Sequence, residues 1–143
     1  MLIEKRYNLE FDGYYPEVHK DGIPAISGLY FVYRGRRTQN KDGKHSADIK
    51  ELLYIGQSED VNARLNGKHE HYEDWNAELE KGETLYYSVC KVPIGSLDEV
   101  ENACIYKAQP PINTQGKETY NYSPVRVISK GMVSKFDMDF HLR

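Results

Sequence analysis

Between residues 28 and 34 the side chains alternate. Leu29, Phe31 and Tyr33 fall on one face and Tyr30, Val32 and Arg34 on the other, the two-residue period of a β-strand. Residues 51–56 repeat the pattern, with Leu53 and Ile55 on one face and Leu52 and Tyr54 on the other. The link between them is long and polar and carries the turn dipeptide Asp42-Gly43, which predicts an antiparallel pair with an extended tip. Residues 84–91 (TLYYSVCK) alternate again and predict a third strand, and 124–129 (PVRVIS) predict one more in the tail. Helical signals fill the gaps. Ser58 suits the cap of a helix carrying Val61, Arg64 and Leu65 to about residue 68, with a short helix following around 70–80. Ser96 with Glu99 reads as a capping box that opens a helix, and Pro110-Pro111 stops it near Gln109. In residues 1–27 the turn signals Asp12-Gly13, Asp21-Gly22 and Pro24 predict short extended pieces.

The last helix isolates one carboxylate. Its apolar positions are Leu97, Val100, Cys104, Ile105 and Ala108, and Glu101 lies one turn from both Leu97 and Ile105, inside the apolar stripe. A carboxylate there sits at an edge, is paired, or binds a metal. On helix pattern alone the commoner outcome is a boundary glutamate whose head reaches water. Asn113 follows Pro110-Pro111-Ile112, whose rings stiffen its approach, although a lone asparagine more often satisfies a turn. Arg64 comes ten positions after Tyr54. Its planar guanidinium matches two phosphate oxygens, and a plain surface arginine fits the same spacing. Tyr30 and Tyr54 share one patch if the register brings their faces together; otherwise they are cross-strand aromatics filling core. A phenol titrates near 10, so base chemistry needs a metal or an arginine beside it.

At 143 residues the chain reads as a single domain, 1–143. It has no apolar run of membrane-spanning length, and its first residues lack the shape of a signal peptide, so a cytoplasmic protein with no membrane partner is expected. Cys90 and Cys104 are too few for a disulfide framework and read as small buried apolar residues. His69 and His71 form a short polar cluster without zinc-ligand spacing. Nineteen basic against 22 acidic side chains give a net charge of −3, which argues mildly against non-specific nucleic-acid binding, since that usually needs a basic field. The balance is uneven. Residues 34–50 hold Arg34, Arg36, Arg37, Lys41, Lys44 and Lys50 against two aspartates. Residues 70–83 hold Glu70, Glu73, Asp74, Glu78, Glu80 and Glu83 against Lys81, and that run reads as solvated surface.

Taken in order, Gly28-Leu29-Tyr30, Tyr54-Ile55-Gly56, Arg64, Glu101 and Pro110-Pro111-Ile112-Asn113 resemble the GIY-YIG nuclease superfamily. The strings YIGQSEDVNARL and ENACIYKAQPPIN carry the likeness, which spans residues 28–113. The resemblance implies an α+β fold: a small mixed domain with a central antiparallel three-stranded sheet flanked by helices, here with N- and C-terminal extensions. It implies an endonuclease that hydrolyses DNA phosphodiester bonds. Glu101 would hold a single divalent cation, Mg²⁺ or Mn²⁺, Tyr30 would activate water as base or relay, and Tyr54 would position water or phosphate. Arg64 would neutralise transition-state charge and Asn113 would steady the site. A histidine often follows the arginine in that family; His69 is the candidate, with Lys68 beside it as the alternative. The chain between the two motifs is longer than usual there, and Leu29 replaces isoleucine. Arg34, Arg36, Arg37, Lys41, Lys44 and Lys68 are the candidates to grip the DNA backbone, and specificity would come from the insertion, the ends, a homodimer or a partner protein. The alternatives are a nucleic-acid-binding module on the same fold that does not cut, and a partner-binding scaffold.

Overall fold

The structure, a computed structural model, describes residues 3–143. Six strands form one sheet: β1 (Lys5–Pro16), β2 (Gly28–Gln39), β3 (His45–Ser58), β4 (Glu83–Lys91), β5 (Val125–Gly131) and β6 (Asp139–Leu142), in the order β3-β2-β4-β1-β5-β6. The fold is mixed α/β with the sheet curled into a half-barrel, which corrects the three-stranded sheet expected from the resemblance. Strands β2, β3 and β4 are the antiparallel trio; β1 extends it antiparallel to β4, β5 lies parallel to β1, and β6 closes the far edge. The extra strands come from the two ends of the chain. Asp12-Gly13 was expected to turn the chain, but β1 runs through it with a register shift between Asp12 and Tyr15, a bulge that bends the strand without ending it.

The β2–β3 pair is a long ribbon whose turn is Asn40–Lys44, where Gly43 N–H donates to Asn40 O. Its register breaks twice near the middle: Val32 pairs with Tyr54 and Tyr33 with Leu52, which leaves Leu53 extruded, and Arg34 pairs with Glu51 and Gly35 with Ile49, which does the same to Lys50. The first bulge sends Leu53 and Tyr54 to the same face, whereas simple alternation had separated them. One face of the sheet gathers Leu29, Phe31, Leu52 and Ile55; the other gathers Tyr30, Val32 and Leu53, with Tyr54 packed against them.

Helices cover both faces. On the first lies α3 (Leu97–Ala108), which buries Val100, Ala103, Cys104 and Ile105. On the second lie α1 (Val61–Asn66) and α2 (Tyr72–Ala77), with Val61, Leu65 and Trp75 buried. Two caps differ from expectation. Asp60, not Ser58, caps α1, its carboxylate accepting the Ala63 N–H at 3.1 Å. Ser96 makes no capping bond; Glu99 turns to β1 instead, accepting from Tyr7 Oη at 2.7 Å and Lys5 Nζ at 3.3 Å. A left-handed Gln109 ends α3 just before Pro110. Cys90 and Cys104 are free and buried. Among the described residues no helix is long and apolar enough to cross a membrane.

Candidate active site

Tyr30 stands opposite Gly56 in the β2–β3 register, and its ring lies across the glycine's backbone. A Cβ at position 56 would overlap Cζ and Oη of Tyr30. Glycine is therefore what admits the phenol to this place. Tyr54 stacks beside Tyr30, with ring centres 6.3 Å apart and planes 24° from parallel. The regular register from Gly56 to Tyr54, opposite Tyr30 and Val32, is what brings the two rings to one face.

His69 completes this side. Its Nε2 lies 2.7 Å from Tyr30 Oη, and its Nδ1 accepts the backbone N–H of His71 at 3.1 Å. An Nδ1 that accepts carries no hydrogen, so the neutral ring bears its hydrogen on Nε2 and donates it to Tyr30. The Tyr30 hydroxyl hydrogen is thereby left to point elsewhere. Burial, then the Arg64 charge, pushes the His69 imidazole down to about 4, and the ring packs on Trp75 at 4.4 Å between centres. The Tyr30 phenol is pushed well up from its ordinary value by burial and by Tyr54; Arg64 pulls it down and Glu101 adds to the rise. Burial and the Glu101 and Glu70 charges push Tyr54 up to about 12. At neutral pH both tyrosines are neutral.

Arg64 projects from α1 toward Tyr30. Its Nη2 donates to both oxygens of Glu70, at 2.8 and 2.7 Å, and this pairing holds the Glu70 carboxyl down to about 2. Glu70 belonged to the run read as solvated surface, yet it is paired with Arg64, whose charge acts on Tyr30. Lys68 is exposed on the loop after α1.

Glu101 approaches from the other face on α3. Gln57, paired with Leu29 on that face, donates its Nε2 to Asp98 Oδ1 at 2.6 Å and to Glu101 Oε1 at 3.3 Å. Burial raises the Glu101 carboxyl, Gln57 lowers it, and Asp98 raises it again. Because β3 is the outermost strand, the two faces meet at its free edge. There Tyr54, Glu70, His71, Asp98, Glu101 and Asn113 line one open groove of about 420 Å³. The carboxylates of Glu101 and Asp98 offer oxygens of the kind that suit a hard cation keeping most of its water, while Gln57 turns its N–H, not its carbonyl, toward them. Glu101 is the residue that could hold a single Mg²⁺ or Mn²⁺ there, although among the described residues no group of three or more His, Cys, Asp or Glu is placed to hold a metal ion.

Asn113 is buried at this edge, and its amide is bound to the backbone of Ile55 at both ends. Ile112 N–H donates to Leu53 O at 3.1 Å beside it. Asn113 thus acts on the site through the backbone between Tyr54 and Gly56. Of the basic candidates, Arg34 is engaged at the root of the ribbon by Glu51 (2.9 Å), Glu80 (2.8 Å) and Glu83 (2.8 Å). Arg36, Arg37, Lys41 and Lys44 are exposed along the ribbon. Glu70 and Asp98, which line the groove, and Gln57, which bridges Asp98 to Glu101, are residues that sequence reasoning passed over. Gln57 follows the second motif directly, but only the register shows that it faces α3. No protein-family model, no curated protein and no solved structure matches the chain.

Proposed function

We propose that the chain is an endonuclease that hydrolyses DNA phosphodiester bonds, with one divalent cation, Mg²⁺ or Mn²⁺, at Glu101. The observation that carries this reading is the meeting of two chemistries at one strand edge. A histidine-braced pair of tyrosines with an arginine arrives over one face of β3, and a half-buried carboxylate arrives over the other. The motif resemblance supports it independently.

In the resting site Tyr30 is a phenol. Tyr30 is buried, so its hydroxyl hydrogen would leave to a water admitted with the substrate, and the resulting phenolate is one that the His69 Nε2–H and the Arg64 charge stabilise. The phenolate takes a proton from water as the water oxygen bonds to phosphorus and the bond to the leaving oxygen breaks. Tyr54 orients water or phosphate at the groove side of the same stack. Glu101 would hold the cation, which would supply positive charge to the leaving oxygen and to phosphorus and would offset the carboxylate charge that Tyr30 feels. His69 supplies a donor here; its low basicity and its tautomer bar it from taking the proton. Arg36, Arg37, Lys41 and Lys44 would grip the backbone away from the cut.

The test is incubation of supercoiled plasmid with protein and Mg²⁺ or Mn²⁺, beside Glu101→Ala and Tyr30→Phe. Metal-dependent nicking that both variants lose supports the reading. Nicking that survives Glu101→Ala, or intact plasmid in the presence of measurable DNA binding, overturns it; the latter outcome describes a binding module that does not cut.

A further inference from the structure

Glu70 lies on a ridge between two grooves. On one side is the groove of Tyr54 and Glu101. On the other is a second open groove of about 580 Å³, lined by Lys20, Lys68, His69, Glu70 and Tyr72 among others. Glu70 contributes to both walls. Its carboxylate sets both oxygens on one nitrogen of Arg64, at 2.8 and 2.7 Å, an arrangement that two oxygens of a phosphate reproduce. The side chain is 60 % exposed and sits on the short loop between α1 and α2, so it can swing aside at little cost in packing. Beside it in the second groove, Lys68 makes no ion pair among the described residues, while Lys20 is held by Glu17 at 2.7 Å and lies 4.5 Å over the Tyr72 ring. Glu70 engages Nη2 of Arg64 alone, and a phosphate diester arriving at that nitrogen competes with it, because two anions at one N–H pair repel.

We infer that Glu70 holds the place of a backbone phosphate on Arg64, and that a nucleic-acid strand entering along Lys68 displaces it in crossing from the second groove into the first. The inference rests on the proposed phosphodiester chemistry for the identity of the anion. Glu70 then acts as a carboxylate latch that keeps Arg64 occupied until a phosphate competes for it. Binding must break an existing ion pair, so the latch lowers affinity and favours substrates that fill both grooves.

The experiment is fluorescence anisotropy with a short labelled DNA duplex, with Ca²⁺ replacing Mg²⁺ to suppress turnover. Wild type is compared with Glu70→Gln and with Glu78→Gln, an exposed acid outside both grooves that changes net charge equally. The expected result is binding about tenfold tighter for Glu70→Gln than for Glu78→Gln. The salt slope also steepens by up to about one unit, since the released carboxylate no longer takes up a cation. Adding Arg64→Gln to Glu70→Gln removes the gain. Equal affinities for the two glutamine variants, or weaker binding by Glu70→Gln, overturn the latch. Plasmid nicking by the same proteins is scored separately. A tightened Glu70→Gln with no metal-dependent nicking leaves the latch and removes the nuclease. Nicking without tightening leaves the nuclease and removes the latch. No DNA binding by any variant overturns both.

Discussion

Asn113 and Ile55 are joined by two hydrogen bonds through one side-chain amide: Oδ1 accepts the Ile55 N–H and Nδ2 donates to the Ile55 carbonyl, each at 2.9 Å. A strand edge that would otherwise be open is thus paired by a side chain. The unit it fixes lies between Tyr54 and Gly56. Asn113→Ala leaves two backbone groups without their protein partner and costs about 2 kcal/mol of stability. Asn113→Asp costs more, because an acceptor then faces the Ile55 carbonyl. Urea unfolding measures both. If Asn113→Ala shifts the midpoint no more than a surface substitution does, the edge does not depend on this clamp.

Gly56 carries a sharper expectation. A methyl group there would occupy the position of the Tyr30 phenol head, and the obstacle is a buried ring with little room to move. Gly56→Ala is expected to unfold more readily, by about 2 kcal/mol, and to lose Tyr30-dependent activity. Tyr30→Ala combined with Gly56→Ala regains part of the stability, since the ring is gone. Simple additivity of the two losses in a double-mutant cycle would show that ring and glycine do not collide.

The parts of this site differed in how plainly the chain displayed them. Around Tyr30 and across 84–91 the runs of aromatic and β-branched residues fit strands buried on both faces, so β2 and β4 were legible. So was α3, whose apolar spacing put Glu101 inside its stripe. What was hidden depended on bulges and on distant partners. Asp12-Gly13 has turn chemistry but sits in a bulged strand, so β1, and with it the six-stranded sheet, was not visible. The extruded Leu53 flips the face of one residue, and no local pattern signals it. Ser96 and Glu99 had the spacing of a capping box, yet Tyr7 and Lys5 on a distant strand claimed the carboxylate. Glu70 looked like one acid in a solvated run, because its partner Arg64 lies across a loop that only the fold closes.

The His69 ring gives the folded protein a pH signature. Its folded value, about 4, lies below the ordinary imidazole value of 6.5 because of burial and Arg64, so folding favours the neutral ring. A depressed base stabilises the fold fully above its unfolded value and loses that stabilisation as pH falls toward the folded one. Stability therefore drops between about 6.5 and 4, by at most about 3 kcal/mol. Glu70, held down to about 2 from 4.5 by Arg64, weakens the fold only at lower pH, and little, since it is largely exposed. The upper part of the window belongs to His69. Thermal melts of wild type and His69→Gln across pH 7 to 5 test this: the variant is less stable at pH 7 and has a flatter slope. Parallel slopes would remove His69 as the cause.

The ribbon separates two kinds of arginine that look alike in sequence. Arg34 sits at its root with its guanidinium shared among Glu51, Glu80 and Glu83, and the Glu83 side chain is only 1 % exposed. Removing the cation strands a buried carboxylate, so Arg34→Gln lowers stability by about 2 kcal/mol. Arg36 and Arg37 lie further out and exposed, and charge reversal there leaves the melting temperature nearly unchanged. Under the proposed function the effects on DNA are the reverse. The Arg36→Glu, Arg37→Glu protein binds duplex more weakly and with a salt slope reduced by about one to two units, while Arg34→Gln, measured below its melting temperature, keeps its slope. Unaltered affinity in the doubly reversed protein would show that the ribbon does not touch the DNA backbone.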